Sequence, residues 1–556
     1  MDVPVLVVGG GPTGLAAAAV LAASGVGCRI VDRSRIGELE SRAAVIHIRT
    51  LELLDRLGVA ADAVASGTAM DKVRVYDDGH SLGMISLAGG GAAGWTPFPY
   101  ALGLQQGKTV RLLEHRLESF GTRVDWGTTL VGLEQHAGGI LAQVQHGDGR
   151  KETIDCAYVI GADGSRSTVR DLAGVAFPGA AYEQNGFLAD VTFSPGTIPT
   201  DRSDQFSLNL TNGGFVGINP VSDGRFRLFG ALTPQLQRKL VASPPTPSSS
   251  FSRPTLDRDD IQSWFDQRFR ILARIEDVHW TSYYTIQRRL AATYRVGNVF
   301  LAGDAAHLHS PAGGQGMNMG VGDGVNLAWK LSAVLTGRAE PGLLDSYQAE
   351  RRPVARRILD GADKGFELEA TDNRIIRTAR RALMPPVLRA SLHVPWVRRA
   401  VANLFSQTWI SYRDSPAVDP HSPRRRGPQP GDRAPHAVTS APGGLHGQLP
   451  GVNFDALVLQ GSATDVDFQR ALRLVEGVAR LRGVGVHAVP ADDLAVQHAY
   501  GSGAGLVCLV RPDGYVAQLR AFTELPALAA GLTSNASASV WPSLSSLANQ
   551  EGHSDE

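Results

Sequence analysis

Gly9, Gly11 and Gly14 form the pattern GxGxxG between an apolar run, Val3 to Val8, and an alanine-rich segment that extends to about Ser24. Glycines at this spacing permit a tight turn and let a pyrophosphate approach backbone N–H groups at a helix start, where the helix dipole favours an anion. A second apolar run, Cys28 to Val31, ends in Asp32, 18 positions beyond the last glycine, where a carboxylate can accept hydrogen bonds from a ribose. In a chain with 63 glycines the pattern alone would mean little, and the alternative is a glycine-rich turn with no ligand. Its setting, a strand, turn, helix and strand within about thirty residues, gives it weight.

A second chemistry-bearing stretch, Leu301 to Gly320, is LAGDAAHLHSPAGGQGMNMG. It follows the apolar run Asn298 to Ala302, so Gly303 and Asp304 sit at a strand end, and it leads into a helix expected from Asn318 to Leu335 with apolar spacing at Leu327, Leu331 and Leu335. Small residues at Gly313 to Gly316 would let a flat redox ring lie against backbone, and the helix start would offer N–H groups to an atom that becomes negative on reduction. The alternative is a turn followed by a loose glycine loop. His307 fits a packed or capping histidine better than a proton carrier, and Met317 and Met319 also suit core positions.

The elements that must position these residues are set by a chain of 556 residues, long enough for two to four domains. Its 54 basic and 54 acidic residues cancel, which argues against nucleic acid or an anionic membrane and for a small-molecule partner. Three cysteines, Cys28, Cys156 and Cys508, form no CxxC, so neither a disulfide framework nor a zinc site is expected and a reducing cytoplasm fits. The apolar segment Val5 to Gly27 lacks a basic leader and is interrupted by Gly-Gly-Gly-Pro; no membrane span is expected.

Strand-like pieces between Asp71 and Gly94 and again from about Phe187 to Leu232, with turn signals at Asn212-Gly213 and Asp223-Gly224, predict antiparallel strands inserted into the first domain. Pro244 to Arg253 has the composition of a surface loop, Leu343 to about Asn403 that of arginine-rich helices, and Arg424 to Arg426 that of a solvated linker. Farther on, Ala456 to Leu459 is expected as a strand, Asp467 to Arg482 as a helix, and Leu506 to Val510 with Tyr515 to Leu519 as a hairpin around Pro512-Asp-Gly514.

Three ordered motifs together carry a resemblance: Gly9-x-Gly11-x-x-Gly14, then Gly161-Ala-Asp163-Gly164-Ser-Arg166-Ser-Thr-Val-Arg170, then Gly303-Asp304-Ala-Ala-His307 with Pro311-Ala-Gly-Gly-Gln-Gly316-Met-Asn318. The chain resembles class A FAD-dependent aromatic hydroxylases of the phenol hydroxylase and pentachlorophenol monooxygenase type, to which aromatic polyketide hydroxylases are also similar. The resemblance spans residues 3 to about 365, and the C-terminal part is similar to the family's thioredoxin-like appendage. It implies an α/β fold with a Rossmann-like FAD-binding domain (1–70, 101–175 and 289–365) and an inserted antiparallel-sheet substrate domain (71–100 and 176–288). A helical connection (366–424), a thioredoxin-like domain without CxxC (425–535) and a disordered tail (536–556) complete the expected layout.

By the same resemblance, Gly9, Gly11, Gly14 and Asp32 bind the adenosine side of FAD, Arg42 reaches its pyrophosphate, and Asp304 its ribityl chain. Gln106 matches a family glutamine, although Thr109-Val110 replaces the usual Thr-Glu. Asp163 serves FAD and the pyridine nucleotide, Gly316, Met317 and Asn318 lie by the flavin's pyrimidine edge, and Pro311 by the oxygen-reacting carbon. The implied activity is a monooxygenase in which NADPH or NADH reduces FAD and O₂ forms a flavin C4a-hydroperoxide that hydroxylates a phenolic or polycyclic aromatic ring. Baeyer–Villiger oxygenation or epoxidation on the same scaffold, and a flavoprotein that only sequesters an aromatic ligand, remain alternatives. No residue is assigned as catalytic base. Candidate substrate-lining residues are Phe206, Phe215, Phe226, Phe229, Tyr283 and Tyr284, about half of which strand alternation must turn away. The oligomeric state stays open, a homodimer being one option.

Overall fold

The computed structural model describes residues 1–35, 43–77, 80–87, 95–197, 205–211, 214–242, 256–269, 272–309, 314–369, 406–420, 427–439, 443–449 and 451–524, with four single positions between 386 and 394. The apolar run Val3–Val8 is the central strand of a parallel sheet, buried from Val5 onward, as a strand covered on both faces must be. Its neighbours are Cys28–Asp32 on one side and Lys151–Gly161 on the other, with Val299–Leu301 beyond the latter and Val124–Trp126 beyond the former. An antiparallel meander, Thr128–His136, Gly139–His146 and Lys151–Gly161, joins the two halves.

Two helices cover this sheet and each other. Pro12–Ala23 is almost wholly alanine, valine and leucine, and its narrow side chains let Gln315–Leu335 approach closely. A Cβ on Gly324 would lie 2.5 Å from the Thr13 carbonyl oxygen, so only glycine permits this crossing distance. The helix Gln315–Leu335 starts three residues earlier than its apolar spacing suggests, because Gly314, with φ of 64°, turns the chain into the helix without a side chain to clash.

A second, eight-stranded sheet runs in the order His307–Leu308, Ile275–Leu290, Gly179–Phe193, Phe226–Ala231, Gly214–Pro220, Gln205–Thr211, Lys72–Asp77, His80–Ser86. Its far face is closed by the helix Arg258–Phe269, with Phe187 edge-on to Trp264 at 4.6 Å between centroids. The edge strand His307–Leu308 belongs to the Gly303-Asp304 segment, so the two sheets are joined at that motif.

The C-terminal part forms a four-stranded sheet, Gly485–Val489, Asp455–Leu459, Leu506–Val510 and Val516–Ala521, with the helix Asp465–Arg482 on one face. Cys508 is buried in it, and burial pushes its thiol well above the usual range. No helix among the described residues is long and apolar enough to cross a membrane. The loop Pro244 to Arg253, the basic run Arg424 to Arg426 and the tail 536–556 lie outside the described residues, as does most of the segment after Glu369.

Candidate functional site

Three loops leave the parallel sheet at one level. Val8 pairs with Gly161 and Gly161 with Leu301, so the turns that begin at Gly9, Ala162 and Ala302 share the carboxyl edge, where open α/β sheets bind ligands. Gly9 adopts φ of 118°, and a side chain there would strike the carbonyl of Ala162. Gly14 likewise abuts the Gly9 carbonyl. Gly11 differs: a Cβ there would meet nothing within 4 Å, and the helix that follows has no side-chain cap on its first turn. Open space beside uncapped N–H groups fits a pyrophosphate.

Asp32 flanks this loop. Its Oδ2 accepts from the Gly10 N–H at 2.6 Å and its Oδ1 from Ser34 N–H at 2.7 Å, which fixes the carboxylate while leaving lone pairs for a ribose. Trp126, paired with Asp32 across the sheet, covers the outside of the turn; a Cβ on Gly10 would sit 2.8 Å from its ring. Nothing in the local sequence around Trp126 announces that placement.

In the middle loop, Asp163 accepts from the Ser167 hydroxyl at 2.5 Å and from Val169 N–H at 3.0 Å, capping the helix Thr168–Leu172. Burial raises its carboxyl despite these bonds. Arg166 is exposed, whereas Arg170 is buried and donates to the carbonyls of Ala305 and Ser165, both at 3.2 Å, with its guanidinium 4.1 Å over the Phe177 ring. Arg170 is thus a crosslink between the second and third motifs, beyond its 3.5 Å contact with exposed Asp171.

In the third loop, Gly303–Ala305 is one 3₁₀ turn that turns Asp304 outward. A Cβ on Gly316 would come within 4.0 Å of Asp304 Oδ1, so both residues border the same space. Asn318 is buried: its Oδ1 accepts from His47 N–H at 2.8 Å and its Nδ2 donates to the carbonyls of Val45 at 2.9 Å and Gly314 at 2.7 Å. These bonds pin the helix start to the strand Val45–Ile46. Met317 is 8% exposed and packs in the core, and Gln106 Oε1 accepts from Ala43 N–H at 3.0 Å, anchoring the chain just after Arg42. Arg42 and Pro311 lie outside the described residues.

Other glycines of this stretch serve packing. A Cβ on Gly303 would sit 2.6 Å from Thr13 Oγ1, and Gly320 is equally tight against that hydroxyl. Those two, with Gly324, admit the neighbouring helix; Gly314 and Gly316 face elsewhere.

Behind the turn lies a network the sequence did not disclose. Asp323 Oδ2 accepts from Gly303 N–H at 3.0 Å and contacts His307 Nε2 at 2.8 Å, while Oδ1 accepts from Arg351 Nε at 2.6 Å. Burial would raise this carboxyl, but the charges of Arg351 and His307 outweigh it and hold Asp323 below the ordinary range. The single acid of that helix was the available signal.

The face of the second sheet turned toward Val45, Met70 and Ala101 carries Leu188, Phe206 and Phe229 in one buried cluster, with Leu208, Trp280 and Tyr284 packed against it. Gly186 and Gly217 lack side chains where the rings of Tyr284 and Phe229 cross them. Val45 is also the nearest neighbour of Gly314, which brings this face to the helix start. On the same face Asp190 and Arg227 form a buried ion pair, with the guanidinium 4.7 Å over the Trp280 ring. Phe226 and Tyr283 point to the far side, where the Tyr283 hydroxyl accepts from Leu256 N–H at 2.7 Å. The Phe215 side chain is outside the described set. Burial lifts the Tyr284 phenol well above its usual value, so at neutral pH it keeps its proton.

Comparison with known proteins matches residues 2–362 to the FAD binding domain family. The chain is 33% identical over 441 residues to pentachlorophenol 4-monooxygenase from Sphingobium chlorophenolicum, covering 78% of this chain and 76% of that one. It is 34% identical over 424 residues to 12-dehydrotetracycline 5-monooxygenase/anhydrotetracycline 6-monooxygenase from Streptomyces rimosus, covering 74% and 78%. The structure of aklavinone-11 hydroxylase in ternary complex with FAD and aklavinone superposes with a TM-score of 0.69 at 26% identity, over 93% of this chain and 95% of that one. With the family match over residues 2–362 and relatives of this kind, the chain belongs to the FAD-dependent aromatic monooxygenases.

Proposed function

We propose that this enzyme hydroxylates a phenolic or polycyclic aromatic compound held between the Leu188, Phe229 and Tyr284 face of the second sheet and the helix start at Gly314. The observation that carries the reading is that face: apolar, bearing the rings of Phe206, Phe229 and Tyr284, and adjoining through Val45 the helix start at Gly314. Gly11 and the first helix turn would hold the FAD pyrophosphate, Asp32 the adenosine ribose and Asp304 the ribityl chain. When bound, FAD supplies the redox chemistry, accepting a hydride from NADH or NADPH and activating O₂ so that one oxygen atom goes to the ring and the other to water.

The chain's own residues supply position and dryness. Apolar side chains exclude water from the reacting region, which matters because water access diverts activated oxygen to H₂O₂. Arg227, the cation of the face, is neutralised by Asp190, which suits an uncharged or weakly acidic ring better than a carboxylate substrate. Tyr284 keeps its proton and is suited to donate a hydrogen bond to a ring oxygen. The thioredoxin-like reading of the C-terminal sheet assigns it packing rather than thiol chemistry, since Cys508 has no cysteine partner in that sheet.

The test is NADH and NADPH oxidation by the purified yellow protein against a panel of phenols and polycyclic quinones, with product mass and H₂O₂ both recorded. A gain of one oxygen in an aromatic product is expected. Ring expansion of a ketone would replace hydroxylation with Baeyer–Villiger chemistry, and no ligand-stimulated oxidation at all would reduce the protein to a ligand-sequestering flavoprotein.

A further inference from the structure

The contact between the flavin half and the C-terminal sheet is charged and buried. The turn joining Leu506–Val510 to Val516–Ala521 inserts Arg511 and Asp513 against the flavin half at 0% and 2% exposure. Arg511 donates to both oxygens of Glu350, at 2.7 and 2.8 Å, and to both oxygens of Asp513, at 2.9 and 2.6 Å. Glu350 also accepts from Lys330 at 2.8 Å, Asn326 at 2.7 Å and Ser415 at 2.6 Å. Arg49 donates to the Asp513 carbonyl and lies 4.6 Å over the Tyr515 ring.

Glu350 is followed in the same helix, Asp345–Glu369, by Arg351. Arg351 donates to Asp323 and, at 2.7 Å, to the hydroxyl of Tyr412, whose ring packs 4.3 Å from Tyr515. Consecutive side chains of one helix therefore hold the C-terminal turn on one side and, through Asp323, the Gly303 amide on the other. A cavity of about 10 Å³, enough for one water, is lined by Arg49, Asn318, Arg351, Asp513 and Tyr515, so the turn also abuts the helix start. Burying this many charges costs desolvation energy that their mutual attraction and hydrogen bonds must offset, which demands close geometry.

We propose that Arg511 and Asp513 are positioning residues of the flavin site: through Glu350, Arg351 and Asp323 they set the Gly303-Asp304 turn, so the C-terminal sheet tunes FAD retention and reduction. The proposal rests on reading that turn as an FAD contact. A turn that drifts from the helix start loses both a ribityl acceptor and the alignment of N–H groups that favour a reduced, anionic flavin. The effect is thus on binding and potential, not only on melting.

Two full-length variants test it: Asp513→Asn, which keeps shape and removes charge, and Tyr412→Phe, which deletes one hydroxyl. FAD dissociation constant, midpoint potential of the bound flavin and thermal midpoint of the apoprotein are measured for each. We expect apoproteins that stay folded, FAD binding weakened about ten-fold or more, and a lowered midpoint potential. Wild-type FAD affinity and potential with only a lower melting temperature would overturn the proposal and leave the network as glue between domains. Should Asp513→Asn fail to fold, Tyr412→Phe decides by the same readouts. Equal FAD binding by wild type and Asp304→Ala would instead displace the flavin from this turn, and the proposal with it.

Discussion

A Cβ on Gly316 would lie 4.0 Å from the Asp304 carboxylate, and a hydrogen bond to a charged acceptor contributes about 1.5–3 kcal/mol. Asp304→Ala should therefore weaken FAD binding roughly ten- to hundred-fold, read as loss of flavin absorbance after gel filtration; full yellow occupancy in the folded variant would refute the assignment. Gly11→Val tests the other end of the cofactor. Since a Cβ at Gly11 meets no protein atom within 4 Å, the apoprotein should fold and melt as wild type while FAD affinity collapses. Unchanged affinity would remove the pyrophosphate from that space. The positions of both residues at strand ends were legible in the sequence, because an apolar run followed by a glycine turn is a local signal, whereas the role expected of Asp304 came from the family resemblance. Asp323 was not, since its partner Arg351 lies 28 residues away and only folding brings them together.

Strand register decides which aromatic rings can meet a substrate. Leu188 faces Phe229 and Asp190 faces Arg227 across adjacent strands, so alternate residues share one face. Sequence alternation foretold that about half of the candidate rings would turn away, and Phe226 and Tyr283 do; without register it could not say which half. The same register buries Asp190 and Arg227 as a pair. Asp190→Ala, which strands the guanidinium, should cost about 3–5 kcal/mol, while Asp190→Leu with Arg227→Met should recover most of that loss. Urea unfolding of the three proteins checks this, and a double variant no more stable than the single one would mean the pair stabilises the sheet outright. The first strand, turn, helix and strand were readable because their signals are local. The strands Gly179–Phe193 and Ile275–Leu290, 15 and 16 residues long, were not resolved as single elements, because their bulges break the alternation that marks a strand.

At the scale of the whole molecule, the flavin half and the C-terminal sheet are joined by charges that depend on pH. Glu52 accepts from Arg49 and Arg433 at 2.7 Å each. Burial would raise its carboxyl, but Arg433 and Arg49 outweigh burial and hold it at about 2. Glu350 is likewise held below the ordinary range, burial being outweighed by Arg511 and Lys330. A carboxyl lowered on folding stabilises fully above its unfolded value, near 4.5, and loses that contribution as the pH falls toward 2. Thermal midpoints should accordingly fall steeply below pH 4.5, and Glu52→Gln should flatten that limb; parallel slopes for wild type and variant would count against the interface as the acid-sensitive joint. The hairpin around Pro512-Asp-Gly514 was foreseen as a turn, but nothing local to it revealed that the turn would be buried against another domain.

The parallel sheet has a further consequence in the order of synthesis. Val3–Val8 is the first strand of its sheet to be made, yet the strand that completes its level edge, Val299–Leu301, is made only after about 290 further residues. At translation rates of roughly 5–20 residues per second, the nascent chain waits tens of seconds for the segment that carries Asp304. Until then the Gly9 turn has the Ala162 loop beside it but not the Gly303 turn, and most of the eight-stranded sheet emerges between the two halves of an unfinished one. The ribosome thus delivers the Gly9 turn and the Gly303-Asp304 turn separately, and the edge they share is complete only after the later one has left the exit tunnel.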